Sequence, residues 1–314
     1  MKNLRKLTAG LLMTLSLTVV VPAQANSEPA AMTPQTTQDI VSYNPALSAI
    51  SAMVYDQHSG QVLLSKNANL QSPIASITKL MTAVVLMDAN VDMNERITIT
   101  REDLDYLKGT RSRLPVGSVY TREQLLNMAL IASENRAAHA LGRTTFPGGE
   151  AEFVAAMNQK ARQLGMQNTI YADPTGLDSI NRSTAEDLVK LVNHAYLHYP
   201  EIRRIASTGE YSLGYKRVVL TTHSRKKRHH LAHRVAYREV AFANTNRLTR
   251  QDDWEIGLSK TGFINEAGHC LVMQARIAQR EVIIVLLDSL GKSSRIGDAT
   301  RIRNWLQAKY APRT

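Results

Sequence analysis

Between residues 72 and 90 the chain reads SPIASITKLMTAVVLMDAN, apolar on nearly every side of a helix from Leu80 to Met87. A helix that lacks a polar face is normally enclosed by its own protein, so this segment is expected in the core. Before it, SAMVYDQHSGQVLLSKN sets two apolar-rich runs around His58-Ser59-Gly60, the pattern of a β-hairpin. The middle of the chain reads as helical. Thr121 and Gln124 form a capping-box signature before LLNMALIA, and Ser183 and Glu186 form another before LVKLVNHAYLHY. Gly148-Gly149 and Gly165 bracket a further helix. From about Trp254 the pattern changes to strands: WEIGLSKTG, HCLVMQARIA and EVIIVLLDSL, separated by the turn-like FINEAG and QR, read as an antiparallel meander. A closing helix from about Ser294 to Tyr310 sets Ile296, Ile302, Trp305, Leu306 and Tyr310 on one side.

This succession predicts an α+β fold. The first and last parts of the chain share one antiparallel sheet, helices pack on it, and a helical lobe is inserted between them. The closing helix is expected to cover the sheet, although Arg295, Arg301, Arg303 and Lys309 would also suit a membrane-surface anchor. Ahead of the fold, MKNLRKLTAGLLMTLSLTVVVPAQA has a basic start, an apolar stretch from Leu7 to Val21, and Ala23-Gln24-Ala25. Those are the parts of a cleavable secretory signal. Residues 1–25 are therefore expected to be removed, residues 26–46 to form an extended lead-in, and residues 47–314 to form one large domain.

Charge and cysteine content narrow the picture. The formal net charge is +11, of which Lys2, Arg5 and Lys6 belong to the signal. The stretch from Lys216 to Arg238, KRVVLTTHSRKKRHHLAHRVAYR, holds eight Lys/Arg and no acid, which leaves the rest of the chain balanced. The basicity is local, so overall charge gives no argument for nucleic acid. The stretch reads as an insertion with a solvated tip, or as a contact for anionic headgroups or an acidic partner. Cys270 is the only cysteine, which excludes an internal disulfide, and it is expected to be a small buried apolar residue. No Cys/His grouping has metal-ligand spacing, so neither a metal nor another cofactor is expected.

The opening stretch also carries candidate chemistry. Ser76 and Lys79 are three residues apart and so lie on one side of a helix. A serine hydroxyl needs a base to become a nucleophile, and a lysine serves as one only when burial or a neighbouring cation lowers its pKa. The apolar surroundings supply that burial, and the helix start favours negative charge developing on the serine oxygen. By itself the pair is weak evidence, because Ser-x-x-Lys recurs at Ser224 and Ser289, and Ser-x-Asn occurs at Ser42, Ser133 and Ser179. Context selects one ordered set. Ser76-Ile77-Thr78-Lys79 opens a buried helix, Ser133-Glu134-Asn135 breaks a helical pair, and Lys260-Thr261-Gly262 ends a predicted strand.

With this set, and with the strings ALIASENRAAHAL, YADPTGLD, STAEDLVKL, FANTNRL and LSKTGFINEAGHCLVM, the chain resembles the serine D-Ala-D-Ala peptidases among the low-molecular-mass penicillin-binding proteins. The resemblance runs from about Ser51 to Tyr310 and is closer to the endopeptidase branch. It implies a β-lactamase/DD-peptidase-like fold and a periplasmic enzyme that hydrolyses D-Ala–diaminopimelate cross-links through an acyl-enzyme. It also implies peptidoglycan stem peptides as substrate and β-lactams as acylating inhibitors. Residue by residue, it makes Ser76 the nucleophile, Lys79 its base, and Ser133 the relay to the leaving amine. Asn135 would hold the substrate amide, Lys260 would supply positive potential, and Thr261 would bind the substrate carboxylate. Gly262 would leave the strand edge open for an extended peptide, and the N–H groups of Ser76 and Phe263 would form the oxyanion hole.

Rival readings differ in testable ways. A class A β-lactamase needs a glutamate for deacylation, whereas YADPTGLDSIN offers only Asp173 and Asp178. The family's carboxypeptidases commonly carry a further β domain and an anchor. This chain closes after one meander and one helix, which favours the endopeptidase. A non-catalytic muropeptide-binding module would keep the pocket without turnover.

Overall fold

The computed structural model describes residues 44–223, 231–291 and 293–310. The expected signal lies outside the described residues, as do the lead-in up to residue 43 and the tip of the basic stretch, residues 224–230. In chain order, the hairpin β1 (Ala49–Asp56) and β2 (Val62–Lys66) is followed by the two-residue β3 (Ser72–Pro73) and helix α1 (Thr78–Asp88). Short strands β4 (Arg96–Thr98) and β5 (Val119–Thr121) precede helices α2 (Arg122–Ile131), α3 (Asn135–Thr145) and α4 (Gly149–Gln163). Then come β6 (Arg182–Ser183), α5 (Ala185–His198), α6 (Pro200–Ser207) and the ribbon β7 (Glu210–His223) with β8 (Leu231–Ala243). The chain finishes with β9 (Glu255–Ile264), β10 (Gly268–Ile277), β11 (Arg280–Ser289) and α7 (Ser294–Tyr310).

The main sheet has the order β2-β1-β11-β10-β9 and is antiparallel throughout. The first hairpin joins the last strand through pairs such as Val54 with Ile284, so the two ends of the fold do share a sheet. The unbroken apolar run of β11 follows from cover on both faces. Ile283, Val285 and Leu287 point into the cluster that contains α1 and α5, while Val282, Ile284 and Leu286 point into the cluster that contains α7. Helix α1 runs through the middle of the helical lobe against α2, α3, α4 and α5, and every residue from Thr78 to Leu86 is buried. That explains a helix without a polar face.

Several local expectations hold and some shift. Thr121 and Gln124 form their reciprocal cap at the start of α2. The cap of α5 falls one residue later than read: Thr184 accepts from the Asp187 N–H at 3.1 Å. Ser183 is occupied elsewhere, pairing through β6 with Ser72 and meeting the Thr169 hydroxyl at 2.7 Å. Strand β9 runs two residues past Gly262, to Ile264, rather than ending there. The basic stretch is strand on either side of its tip, with β7 and β8 paired out to His223 opposite Leu231.

Helix α7 covers the sheet with Ile296, Ile302 and Leu306, and Trp305 and Tyr310 pack at its margin. Its cations are engaged within the protein: Arg303 bonds Asp253 at 2.6 Å, and Arg295 reaches inward to β9. Among the described residues no helix is long and apolar enough to cross a membrane. The helix is tied to the start of β1 by Asp298, fully buried, which accepts from the N–H groups of Ser48 at 2.9 Å and Ala49 at 2.8 Å. Asp298→Ala leaves those donors unpaired in the core and is expected to cost about 2–4 kcal/mol. In thermal unfolding this should lower Tm by roughly 5–10 °C. A shift below a degree would show that the tie is dispensable.

Candidate active site

Ser76 sits in a single 3₁₀ turn, Ala75–Ile77, that feeds directly into α1. Ala75 has φ +48°, the left-handed region that costs a residue with a Cβ about 1–2 kcal/mol. Packing on both sides holds it there. A Cβ on Gly176 would lie 2.0 Å from the Ala75 carbonyl oxygen, and one on Gly262 would lie 2.7 Å from the Ile74 oxygen and 3.2 Å from the Ser76 nitrogen. The turn is thus pressed between the loop after Tyr171 and the edge strand β9. Gly262 is therefore needed for β9 to reach the Ser76 turn, a closer constraint than the open strand edge expected from sequence.

Lys79 follows one turn later, 1 % exposed. Its Nζ meets Ser76 Oγ at 2.9 Å, Asn135 Oδ1 at 2.7 Å and the Thr175 carbonyl at 2.6 Å. Burial pushes its pKa down from 10.5 to about 7, against the opposing pull of the Asp173, Glu134 and Asp105 carboxylates. The contact set suits the neutral amine. Asn135 Oδ1 and the Thr175 carbonyl can only accept, so they take its two N–H groups and leave the lone pair for the Ser76 hydroxyl. The arrangement can therefore draw a proton from Ser76.

The facing wall comes from the α2–α3 junction. Ser133 has φ +59°, a bend that ends α2 and lets α3 begin at Asn135. From β9, the Nζ of Lys260 reaches Ser133 Oγ at 2.9 Å and the Thr261 carbonyl at 2.9 Å. Lys260 is 1 % exposed, and burial together with Lys79 and Arg295 lowers its pKa well below the ordinary value. An incoming carboxylate would favour its charged form again. Thr261 Oγ1 donates to Thr245 Oγ1 at 2.6 Å. Phe263 projects with half its surface exposed, its ring stacked on His269 at 4.3 Å. All eight residues singled out from the sequence thus lie on the three segments that meet at the Ser76 turn.

Two features refine the reading. Asp173, offered by the sequence as a loop carboxylate, is committed to its own loop. It accepts from the N–H groups of Thr175, Gly176 and Asp178 at 2.5, 2.7 and 2.8 Å, and from Thr175 Oγ1 at 2.6 Å. It shapes the turn that presents Gly176 and the Thr175 carbonyl. Arg295, read only as a cation of the last helix, donates through Nη1 to the Gly262 carbonyl at 2.7 Å and the Cys270 carbonyl at 3.3 Å. It braces the peptide between Gly262 and Phe263 from behind. Its place 35 residues beyond Lys260 gives no local signal of that.

Comparison with known proteins agrees with this geometry. The peptidase S11 family model, described as D-alanyl-D-alanine carboxypeptidase, matches residues 37–291. A D-alanyl-D-alanine endopeptidase of Pseudomonas aeruginosa is 41% identical over 293 residues, covering 93% of this chain and 86% of the relative. One of Escherichia coli is 38% identical, covering 94% of this chain and 87% of the relative. The crystal structure of the Streptomyces K15 DD-transpeptidase superposes with a TM-score of 0.71 at 28% identity, over 85% of this chain and 99% of that one. Fold, site and sequence point the same way, and the chain belongs to the S11 family of serine D-alanyl-D-alanine peptidases.

Proposed function

We propose that the protein is a periplasmic serine DD-endopeptidase that hydrolyses the D-Ala–diaminopimelate cross-link of peptidoglycan through an acyl-enzyme on Ser76. The observation that carries this is the buried Lys79 amine, held against Ser76 Oγ at 2.9 Å with its two other contacts on acceptors. In the reading, neutral Lys79 takes the Ser76 proton as Oγ attacks the D-Ala carbonyl carbon. The N–H groups of Ser76 and Phe263 receive the oxyanion, with Arg295 steadying the second. Collapse breaks the C–N bond. The leaving amine collects, through Ser133, the proton that Lys79 took, which returns Lys79 to its neutral form; Lys260 holds the Ser133 hydroxyl. Water then hydrolyses the ester and restores Ser76. Asn135 Nδ2 would bind the substrate amide carbonyl, and Thr261, backed by Lys260, its carboxylate. A β-lactam presents a strained amide to the same attack, and its carboxylate to the same groups.

The identities of 41% and 38% to proteins named endopeptidases favour the cross-link over a terminal D-Ala as the bond cut. The cationic stretch between Lys216 and Arg238 supports a contact with anionic headgroups or an acidic partner. Deletion of Ser224–Arg234 should weaken binding to anionic vesicles or sacculi at low salt, and unchanged binding would remove that part of the reading.

Three measurements test the chemistry. With a cross-linked muropeptide dimer and a monomeric pentapeptide as substrates, mass spectrometry should show dimer converted to monomers with little free D-Ala. Free D-Ala with intact dimer would make the protein a carboxypeptidase. Ser76→Ala should lower dimer cleavage by on the order of 10⁴-fold or more; surviving cleavage would take Ser76 out of the mechanism. Because the base works in its neutral form, kcat/KM should climb with pH up to about 7 and fall about tenfold per unit below it. Glu134→Gln removes a carboxylate that favours the charged amine, so the acid limb should move to lower pH. A profile flat from about pH 5 to 8 would contradict Lys79 as base.

A further inference from the structure

The residues Asp105 to Thr110, DYLKGT, enter the chemistry above only through the pull of the Asp105 charge on Lys79, yet they end in contact with it. The Asp105 carboxylate gathers the segment into a compact turn. Its Oδ1 accepts from the N–H groups of Leu107 and Lys108, both at 2.9 Å. Its Oδ2 accepts from the Thr110 N–H at 2.8 Å and from the Thr110 hydroxyl at 2.6 Å. These bonds outweigh desolvation and hold the Asp105 carboxyl below its ordinary pKa, so it is an ionised acceptor. The turn is also braced from the far side of the site, where Lys108 Nζ meets Glu266 at 2.5 Å on the β9–β10 connection. Thr110 Oγ1 in turn lies 2.9 Å from Asn135 Nδ2.

This chain of bonds has only one possible direction. An ionised carboxylate cannot donate, so the Thr110 hydroxyl spends its single proton on Asp105 and is left an acceptor toward Asn135. Asn135 must then turn its NH₂ group to Thr110 and its Oδ1 to Lys79, as observed at 2.7 Å. The orientation matters because a carboxamide is nearly symmetric in shape, and a half-turn exchanges donor and acceptor. A flipped Asn135 would present NH₂ to Lys79, and the amine lone pair would accept from it instead of from Ser76. The base would be diverted with almost no change in packing.

We propose that Asp105 and Thr110 are positioning residues that lock the amide of Asn135 in one orientation and thereby aim the Lys79 lone pair at Ser76. The proposal rests on the reading of Ser76 and Lys79 as nucleophile and base, but not on which peptide bond is cut. Acylation by a fluorescent penicillin therefore measures it, with Ser76→Ala as the control that must abolish labelling if that reading holds. Thr110→Val removes the hydroxyl at nearly constant volume and should slow acylation about tenfold, the scale of losing one oriented hydrogen bond, with Tm unchanged. Thr110→Ser keeps the hydroxyl and should restore most of the rate. A purely structural role for the loop is separated by a double-mutant cycle. In an Asn135→Ala background there is no amide to orient, so Thr110→Val should have little further effect. Labelling that Ser76→Ala abolishes, combined with a Thr110→Val rate within twofold of the parent, would overturn the proposal. So would an equal fractional loss in both backgrounds.

Discussion

The structure depends on a lysine that the fold removes from water. An ammonium buried as deeply as Lys79 would cost several kcal/mol if left charged and unpartnered. Neutralisation, at a pKa of about 7, combines with two fixed acceptors to relieve that cost. The acceptors come from distant parts of the chain, the start of α3 for Asn135 and the loop after Tyr171 for Thr175. Burying this one side chain therefore requires α1, α3 and that loop to meet at a single point. The same burial that threatens stability leaves the amine unprotonated near neutral pH and so able to take a proton, and one physical cause serves both the core and the chemistry.

The second constraint is steric. The turn that carries Ser76 holds Ala75 in a conformation its side chain disfavours, and it stays there because Gly176 and Gly262 let backbone approach it from both sides. Arg295 completes the arrangement from behind β9 by fixing the Gly262 carbonyl. Pre-organisation of this kind is worth more than extra contacts, since a hydrogen-bond donor aimed in advance need not reorient as charge develops.

Much of this was legible in the chain. The hairpin, the meander and the apolar α1 show in period and composition, because local pattern decides which faces can be buried. Ser76, Lys79, Ser133, Asn135, Lys260 and Thr261 stood out through spacing and order. Gly262 was singled out for an open strand edge, whereas the close approach of β9 to the Ser76 turn had no local signal. Asp173 looked available as a carboxylate until the loop folded around it. Ser183 was the better capping residue by motif, yet pairing in β6 moved the cap to Thr184. In each case a long-range contact reassigned a group whose local options were open.

By itself, then, the sequence determined the first hairpin, the apolar helix, the meander, the closing helix and the three short segments that carry the candidate chemistry. These depend on periodicity and on side-chain type, which neighbouring residues settle. Only the tertiary structure decided which way each polar atom faces. The partners of Lys79 lie 56 and 96 residues away in the chain, Arg295 reaches Gly262 across 33, and Thr110 reaches Asn135 across 25. A hydrogen bond is fixed by distance and direction in space, and at those separations the folded backbone alone supplies them.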